Sequence, residues 1–428
     1  PTYLIIPETI GGVPVTSISD WAFEDLGLTG VSFPDSLTSM GAGAFAGNLI
    51  SSLELPKNVT TLRSFLFSDN MLTSITIPSN IDTIENEVFN YNLITSMTIP
   101  TTVHRIDALA FNNNLVADES KAFIYERNSD GSENRKTIVS YAGAKRANVI
   151  VPEGVERLRW WSFCGNEIES ITLPSTLKVI EEYALASNYL TDITIPSNVT
   201  EVLGGAFNKN FLPDAKAFIY ARNPDGSVNN TYIASYGGIK KDNVVIPSGV
   251  QIIGYSSFYD IGLTTDVTIP STVTFIGTLA FNRNFLPDSK AFIYARNGDG
   301  SINNSWVVSY AGGTRDSVII PNNVTRIGQQ AFQNEYMYNI TLPSNLVTID
   351  GYAFQQNHLT NLTIPGTVTS IGEAAFASND VSHIVMNRAT TTIGDMMVSW
   401  SDNNFRTSYV AGGIGTYNRS ANGTWTKQ

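Results

Sequence analysis

The residues able to carry chemistry are few and scattered along the 428-residue chain. There is one cysteine, Cys164, there are three histidines, and the acidic residues follow no fixed spacing. Nucleophilic catalysis needs a nucleophile beside a base, and glycoside hydrolysis needs two converging carboxylates. The sequence has neither pattern, and it also lacks the motifs of phosphate loops and zinc proteases. It therefore predicts no catalytic residues, no metal centre and no enzyme activity.

One short segment resembles a cation-binding loop. Asn-x-Asp-Gly-Ser occurs three times, with Asp130, Asp225 and Asp299 as its acidic residue. A calcium loop needs oxygen ligands at alternate positions before a glycine, but Asp-Gly is also a common β-hairpin turn. Because each copy fixes only one carboxylate, we favour the hairpin turn. No cofactor is predicted, and calcium remains the alternative.

Composition excludes further classes of partner. The chain has 26 Lys and Arg against 38 Asp and Glu, a net charge of −12, and no basic cluster. Nucleic acids and anionic membranes both require clustered cations, so neither is an expected partner. No apolar run approaches the roughly 20 residues of a membrane span, and we expect a monomer. Since the chain begins at Pro1 without Met, we expect it to be a segment of a longer protein.

An internal repeat organises the chain. An Ile-Pro or Leu-Pro step recurs after short β-branched runs, and seven of the twelve gaps between its prolines are 22 residues. In the unit Leu72–Asn92, Ile75 and Ile77 supply an inward row before Pro78 ends the strand. Phe89 follows as a core residue. One such unit cannot bury its apolar edge alone, so the repeat predicts stacked coils.

An asparagine follows the phenylalanine column by three residues. A buried amide offers two donors and an acceptor, so stacked asparagines can satisfy turn backbone in two coils. We interpret this column as a structural ladder and not as a binding site. Its predicted members are Asn70, Asn92, Asn114, Asn166, Asn188, Asn210, Asn284, Asn357 and Asn379.

The pattern L-x-x-I-x-I-P…V-x-x-I-x-x-x-A-F-x-x-N resembles the BspA-type leucine-rich repeats of bacterial surface proteins. Leu190–Asn210 and Leu359–Asn379 are near-consensus copies. The resemblance implies a β-rich leucine-rich-repeat solenoid that is right-handed and curved, with a parallel sheet on its concave face and short turns or helical pieces between. We expect about 13 turns of 22–23 residues over 1–385 and a capping segment over 386–428. It also implies surface display or secretion, and adhesion.

Three similar insertions depart from the repeat, at 121–143, 216–238 and 290–312. Each predicts two aromatic-rich strands around the Asp-Gly turn. After each insertion, an outward column that otherwise holds threonine holds Ile150, Val245 or Ile319 instead. We therefore expect each hairpin to fold over that column and cover these three side chains.

The hairpins and the threonine column form the candidate ligand-binding surface. Its predicted residues are Thr76, Thr98, Thr172, Thr194, Thr268, Tyr125, Arg127, Tyr220, Arg222, Tyr294, Arg296 and Trp306. Aromatic residues and arginine are typical of interface anchors, but they are equally typical of hairpin cores, and threonine is a common exposed strand residue.

The function predicted from this resemblance and surface is bacterial extracellular adhesion or recognition. The expected partner is a surface protein of a host or neighbouring cell, a matrix protein or a glycan. Two alternatives remain open: a non-binding spacer within a larger surface protein, and an accessory glycan-binding module of a secreted enzyme.

Overall fold

The computed structural model describes residues 2–399 and 404–428, and the chain forms two compact units. Unit 1 comprises Pro1–Ala217 and Arg222–Val228, and unit 2 comprises Phe218–Ala221 and Asn229–Gln428. In each unit the chain winds into stacked coils with parallel strands and little helix. The predicted leucine-rich-repeat solenoid is thus confirmed as the fold class.

The first strand of a coil precedes its anchoring proline, which has no N–H to continue a ladder. These pre-proline strands are Thr2–Ile5, Leu28–Ser32, Ser74–Thr76, Ser96–Thr98, Val149–Ile150 and Ile171–Thr172 in unit 1. In unit 2 they are Val244–Val245, Val267–Thr268, Val318–Ile319, Ile340–Thr341 and Asn361–Ile364. His383–Met386 takes the same place in the last coil, where Asn387 follows instead of proline. Side chains alternate along them, so Ile75 is buried whereas Ser74 and Thr76 are exposed. The alternation creates an outward column along each sheet.

A second, two-residue strand follows each proline. In unit 1 these post-proline strands are Ser17–Ile18, Ser39–Met40, Thr61–Leu62, Thr83–Ile84, Arg105–Ile106, Arg157–Leu158, Val179–Ile180 and Glu201–Val202. In unit 2 they are Ile252–Ile253, Phe275–Ile276, Arg326–Ile327, Thr348–Ile349 and Ser370–Ile371, and Thr392–Ile393 takes the same place in the last coil. Ile84 pairs in parallel with Leu62, and both are buried. The second residue of each post-proline strand is buried in this way, and the first is exposed or half-buried in all of them except Val179–Ile180.

Aromatic stacking and the asparagine column tie the coils together. Phe67 and Phe89 are fully buried, with ring centroids 6.1 Å apart. Nδ2 of Asn92 donates to the carbonyl oxygens of Phe67 at 3.0 Å and Phe89 at 3.3 Å, while its Oδ1 accepts from the Leu72 amide at 3.0 Å. One buried side chain thus satisfies backbone groups of adjacent coils.

Each insertion forms a hairpin whose return strand replaces a post-proline strand. The hairpin strands are Phe123–Arg127 with Glu133–Tyr141, Phe218–Arg222 with Val228–Tyr236, and Phe292–Arg296 with Ile302–Tyr310. In the first, Ile138 pairs in parallel with Leu158 of the next coil. Tyr141 takes the place of the core phenylalanine, stacked 5.2 Å from Phe163, and its hydroxyl donates to the Lys145 carbonyl at 3.0 Å. The insertion is therefore a modified coil.

The prediction that the hairpins cover the outward column is wrong. Ile150, Val245 and Ile319 are 57%, 59% and 68% exposed. The hairpin tip packs instead on the turn after the preceding proline, where a Cβ on Gly131 would lie 1.6 Å from the Thr101 carbonyl oxygen. Glycine is required there for this close approach and for its φ of +78°.

The three modified coils add to the thirteen coils predicted, and one more coil follows the last proline, because His383–Met386 pairs in parallel with Asn361–Ile364. Gly415–Arg419 pairs antiparallel with His383–Met386 on one side and with Trp425–Lys427 on the other. These two C-terminal strands cover the edge of the sheet. The remaining elements are the strands Thr9–Ile10 and Val13–Pro14, the α-helices Glu119–Ala122 and Asn404–Gly412, and the 3₁₀ helices Asp214–Lys216 and Asp288–Lys290. Over residues 2–399 and 404–428, no helix has the length and apolarity needed to cross a bilayer.

Candidate ligand-binding surfaces

The five threonines predicted to bind a ligand are all exposed. Within unit 1, Thr98 pairs with Thr76, and Thr172 pairs with Ile150. Within unit 2, Thr268 pairs with Val245. The column therefore presents hydroxyl and β-branched aliphatic side chains next to each other. Such a row offers both hydrogen-bonding and apolar contact to a ligand.

The three hairpin tyrosines differ in exposure. Tyr125 is buried in the first hairpin, whereas Tyr220 and Tyr294 are half-buried. Desolvation by burial raises the pKa of all three hydroxyls. The guanidinium carbon of Arg135 also lies 5.8 Å from the Tyr125 ring centroid. Tyr125 therefore acts mainly as a packing residue, while the other two retain surface that a ligand can reach.

The three hairpin arginines brace the turns. Nη1 of Arg127 donates to the Gly131 carbonyl at 3.3 Å, and Nη1 of Arg296 donates to the Gly300 carbonyl at 3.3 Å. Arg222 makes the same contact with Gly226 at 3.5 Å. Burial lowers the pKa of all three guanidinium groups. Their side chains hold the hairpin tips in place.

A cleft of about 500 Å³ joins the third hairpin to the outward column of unit 2. Phe292 and Tyr294 line it from the hairpin, and Ile319 and Pro321 line it from the next coil. Ile319 pairs in turn with Thr341. This Tyr294 cleft brings a predicted tyrosine to the outward column. The change from threonine to Ile319 is visible in the sequence, but Ile319 is exposed and not covered by the hairpin.

A second cleft of unit 2, about 210 Å³, lies on the other side of the third hairpin. We name it the Trp306 cleft; it is lined by Phe275, Ala295, Arg296, Trp306 and Arg326, among others. The guanidinium carbon of Arg326 lies 4.2 Å from the Trp306 ring centroid, and its Nε donates to Asp350 Oδ2 at 2.9 Å. Trp306 and Arg296 were predicted beside the threonine column, but they face the post-proline strands. Sequence reasoning missed Phe275, although it is an aromatic residue at an outward position.

The corresponding cleft of unit 1 has a different lining. This Arg159 cleft, of about 490 Å³, is lined by Arg105, Asp107, Glu126, Arg159 and Trp160, among others. Arg105 donates two hydrogen bonds to Asp107, at 2.8 and 2.7 Å. Nη1 of Arg159 lies 3.3 Å from Glu126 Oε1. The surface of this cleft is therefore built from opposite charges that pair with each other.

One ladder position of unit 2 holds an acid. Glu335 is fully buried three residues after Phe332, where most other coils have asparagine. Its Oε1 accepts from the Arg283 amide at 2.7 Å, and its Oε2 lies 3.1 Å from Arg315 Nη1. Burial raises the pKa of Glu335 to about 8, although the Arg315 charge opposes the shift. The sequence spacing would have shown this exception to the ladder.

The remaining reactive groups have local partners. Burial raises the pKa of the Cys164 thiol to about 12, which keeps it protonated. Nδ1 of His104 lies 2.8 Å from Asp82 Oδ1 of the preceding coil, a partner that is hidden when one coil is read alone. Asp130 Oδ1 accepts from the amide of Ser132 at 2.9 Å within its own turn. Among residues 2–399 and 404–428, no three His, Cys, Asp or Glu side chains gather as a metal-binding group.

Comparison with known proteins identifies the repeat. A family model for the BspA type leucine rich repeat region matches residues 2–116, 132–217, 231–290 and 309–414. The comparison with curated proteins returned no match.

The chain is similar to two solved bacterial leucine-rich repeat proteins, each at 20% identity. One is a leucine-rich repeat protein from Bacteroides ovatus; the alignment covers 85% of this chain and 87% of that protein, with a TM-score of 0.35. The other is a leucine rich cell surface protein from Faecalibacterium prausnitzii, covering 95% and 89% at 0.32. The pneumococcal vaccine antigen PcpA is 14% identical, covering 92% and 88% at 0.34.

Proposed function

The chain belongs to the BspA type leucine-rich repeat family, and from that premise we propose that it is an extracellular bacterial recognition module that binds a protein ligand. The proposed ligand is a surface protein of a host or neighbouring cell, or a matrix protein. The proposed binding surface is the Tyr294 cleft together with the outward column beside it.

The observation that carries this proposal is the open junction between the third hairpin and that column. Ile319 is 68% exposed although it lines a cleft with the aromatic residues Phe292 and Tyr294. An aliphatic side chain this exposed gains free energy when a partner buries it. Protein interfaces combine such an apolar centre with a polar rim, and Thr341 and Asp288 supply polar groups here.

The fold favours binding without rearrangement. The cleft walls belong to strands that are hydrogen-bonded to a neighbour: Phe292–Arg296 pairs with Ile302–Tyr310, and Val318–Ile319 pairs with Ile340–Thr341. A preformed surface loses little conformational entropy on association. We expect rigid docking of the ligand, with side-chain adjustment at Tyr294.

A binding screen tests the proposal. The purified chain would be measured by surface plasmon resonance against immobilised matrix proteins and bacterial and host surface proteins, with Ile319→Asp and Tyr294→Ala variants beside it. Saturable binding that weakens about tenfold or more in both variants is expected, since truncating an interface anchor typically costs that much.

The matched control is Ile150→Asp, which changes an equally placed exposed residue of unit 1. It should leave binding unchanged, and circular dichroism melts should show that all variants remain folded. Equal loss in the control would move the site away from the Tyr294 cleft. No binding to any protein of the panel would contradict the proposal and favour a spacer role.

A further inference from the structure

The post-proline strands of unit 2 carry an outward surface separate from the Tyr294 cleft. The residues that come directly before the paired residues of these strands form one column. The amide of Gln251 donates to the Thr231 carbonyl at 2.8 Å, and the amide of Thr274 donates to the Gln251 carbonyl at 2.9 Å. Beyond the third hairpin, Thr325 donates to the Ser305 carbonyl at 2.8 Å. We name these five residues the hydroxyl–amide column. None of them bears a charge.

The first residue of each strand forms a second column beside the hydroxyl–amide column. Tyr232 pairs with Ile252, and Ile252 pairs with Phe275. On the far side of the hairpin, Trp306 pairs with Arg326. Phe275 is 57% exposed, and the Trp306 cleft lies where these two groups meet. Unit 2 thus sets aromatic side chains beside a row of neutral hydrogen-bonding groups.

In unit 1 the column that precedes the post-proline strands includes charged residues. Glu156 lies between Lys136 and Lys178, with N–O distances of 2.9 and 2.8 Å. Hydrogen bonds from these two lysines lower the pKa of Glu156 to about 2. Asp82 and His104 form another contact of this column. The repeat therefore tolerates charge here, and the neutral aromatic surface of unit 2 is not imposed by the fold.

The lining of the Trp306 cleft has donors and acceptors but little free charge. Arg326 is paired with Asp350 at 2.9 Å and stacks on Trp306, so its charge is compensated. Arg296 donates to the backbone carbonyls of Gly300 at 3.3 Å and Ile269 at 3.5 Å. Thr274, Thr278 and Gln329 add neutral polar groups to the cleft. Ala295, only 6% exposed, contributes no polar group between the walls.

We propose that the Trp306 cleft and the hydroxyl–amide column bind a neutral polysaccharide. A pyranose ring is apolar on its C–H face and packs on aromatic rings such as Phe275. Its hydroxyl groups exchange hydrogen bonds with hydroxyl and amide side chains such as Thr274 and Gln251. An anionic chain would require cations free to contact it, whereas Arg326 is paired with Asp350 and Arg296 donates to the backbone carbonyls of Gly300 and Ile269. The inference rests on the proposed function only in taking the chain as a recognition module, since the two sites share no wall residue.

Affinity electrophoresis and calorimetry of the full chain test the inference. The probes are soluble β-glucan, xylan, mannan and galactomannan, with heparin and polygalacturonate as anionic counterparts. Binding to at least one neutral polysaccharide is expected, with about tenfold or greater weakening in Phe275→Ala. Ala295→Glu should also weaken it, because this change brings a carboxylate into the cleft at the register where the first hairpin accommodates Glu126.

The matched control is Arg105→Ala, which truncates the equivalent strand residue at the Arg159 cleft and should leave polysaccharide binding unchanged. The inference is overturned if none of the four neutral polysaccharides binds, if only the anionic ones bind, or if Phe275→Ala binds as well as the parent chain. Protein binding that is lost in Ile319→Asp but kept in Phe275→Ala would leave the proposed function standing while this inference fails.

Discussion

The clefts beside the first and third hairpins have the same backbone register and different side chains. Glu126 pairs with Asn134 in one hairpin as Ala295 pairs with Asn303 in the other. Thr137 pairs with Arg157 as Trp306 pairs with Arg326. Ala295 thus stands in the Trp306 cleft where the Arg159 cleft has Glu126, and Trp306 stands where the first hairpin has Thr137. The repeat determines where a side chain stands, and the individual residue determines what surface it makes.

The largest expected effect on stability is at the hairpin tip, where both hairpins have a glycine packed against a backbone carbonyl. Gly131→Ala and Gly300→Ala should each lower the free energy of unfolding by about 2–4 kcal/mol, because the new Cβ adds a clash to a strained positive φ. Both Cβ atoms would lie 1.6 Å from a carbonyl oxygen, of Thr101 and of Ser271. Denaturant titration measures the loss. Gly298→Ala, where a Cβ meets nothing within 4 Å, should cost far less.

The next effect concerns the ladder position of the coil after each hairpin, which holds Asn166 after the first hairpin and Glu335 after the third. The pKa of Glu335 is about 8 in the folded chain, above its ordinary value of 4.5. The folded state therefore holds more protons than the unfolded state between these values, so stability falls as pH rises from about 4.5 to 8. Glu335 faces the charges of Arg315, Arg283 and Asp260.

Thermal unfolding at pH 5 and pH 8 measures this dependence. Glu335→Gln should have a smaller difference in Tm between the two pH values than the parent chain. Asn166→Gln, at the ladder position after the first hairpin, should keep the parent difference. An unchanged pH dependence in Glu335→Gln would contradict the assignment.

A smaller and equal effect is expected for the tyrosines that close the two modified coils. The hydroxyl groups of Tyr141 and Tyr310 each donate to a backbone carbonyl at 3.0 Å. Tyr141→Phe and Tyr310→Phe should each cost about 0.5–1.5 kcal/mol, the net value of one hydrogen bond. Chemical denaturation measures both. A loss of stability in only one of the two variants would show that the same backbone position does not give the hydrogen bond the same energy. The control is Tyr189→Phe, which changes an exposed ring and should not measurably change the free energy of unfolding.

The smallest effect is expected at the ion pair that distinguishes the clefts. Glu126 and Arg159 are both more than a third exposed, and exposed ion pairs contribute about 0–1 kcal/mol. Glu126→Ala, which copies Ala295, should therefore change the free energy of unfolding by less than about 1 kcal/mol. A double-mutant cycle with Arg159→Ala measures the coupling. A coupling well above 1 kcal/mol would mean that this charge pair is structural.

Much of the fold could be predicted because the repeat is explicit. The prolines, the inward isoleucines and the phenylalanine column follow from spacing, and so does an amide ladder through Asn92. The hairpins were also expected from their Asp-Gly turns. Their packing was not, because local pattern does not reveal that Tyr141 replaces a core phenylalanine or that Gly131 rests on Thr101. Consequently Ile319 was predicted to be covered, whereas its side chain is exposed.

The candidate sites divide in the same way. Sequence reasoning selected Tyr294 and Trp306 together, and the structure places them in different clefts on opposite sides of one hairpin. Phe275 was missed, because a single aromatic residue in a strand carries no signal until its neighbours are known. His104 and Asp82 come from different coils, so reading either coil alone cannot join them.

The sequence by itself determined the family, the coil length, the inward and outward alternation and the residues of the ladder, because these depend on contacts repeated at a fixed separation. The tertiary structure decided which outward side chains share a cleft, which arginines donate hydrogen bonds to the hairpin turns, and which column of side chains remains exposed to solvent. Those properties depend on contacts between coils about 22 to 50 residues apart, and the direction in which a hairpin packs is set by close approach and burial, which no single coil encodes.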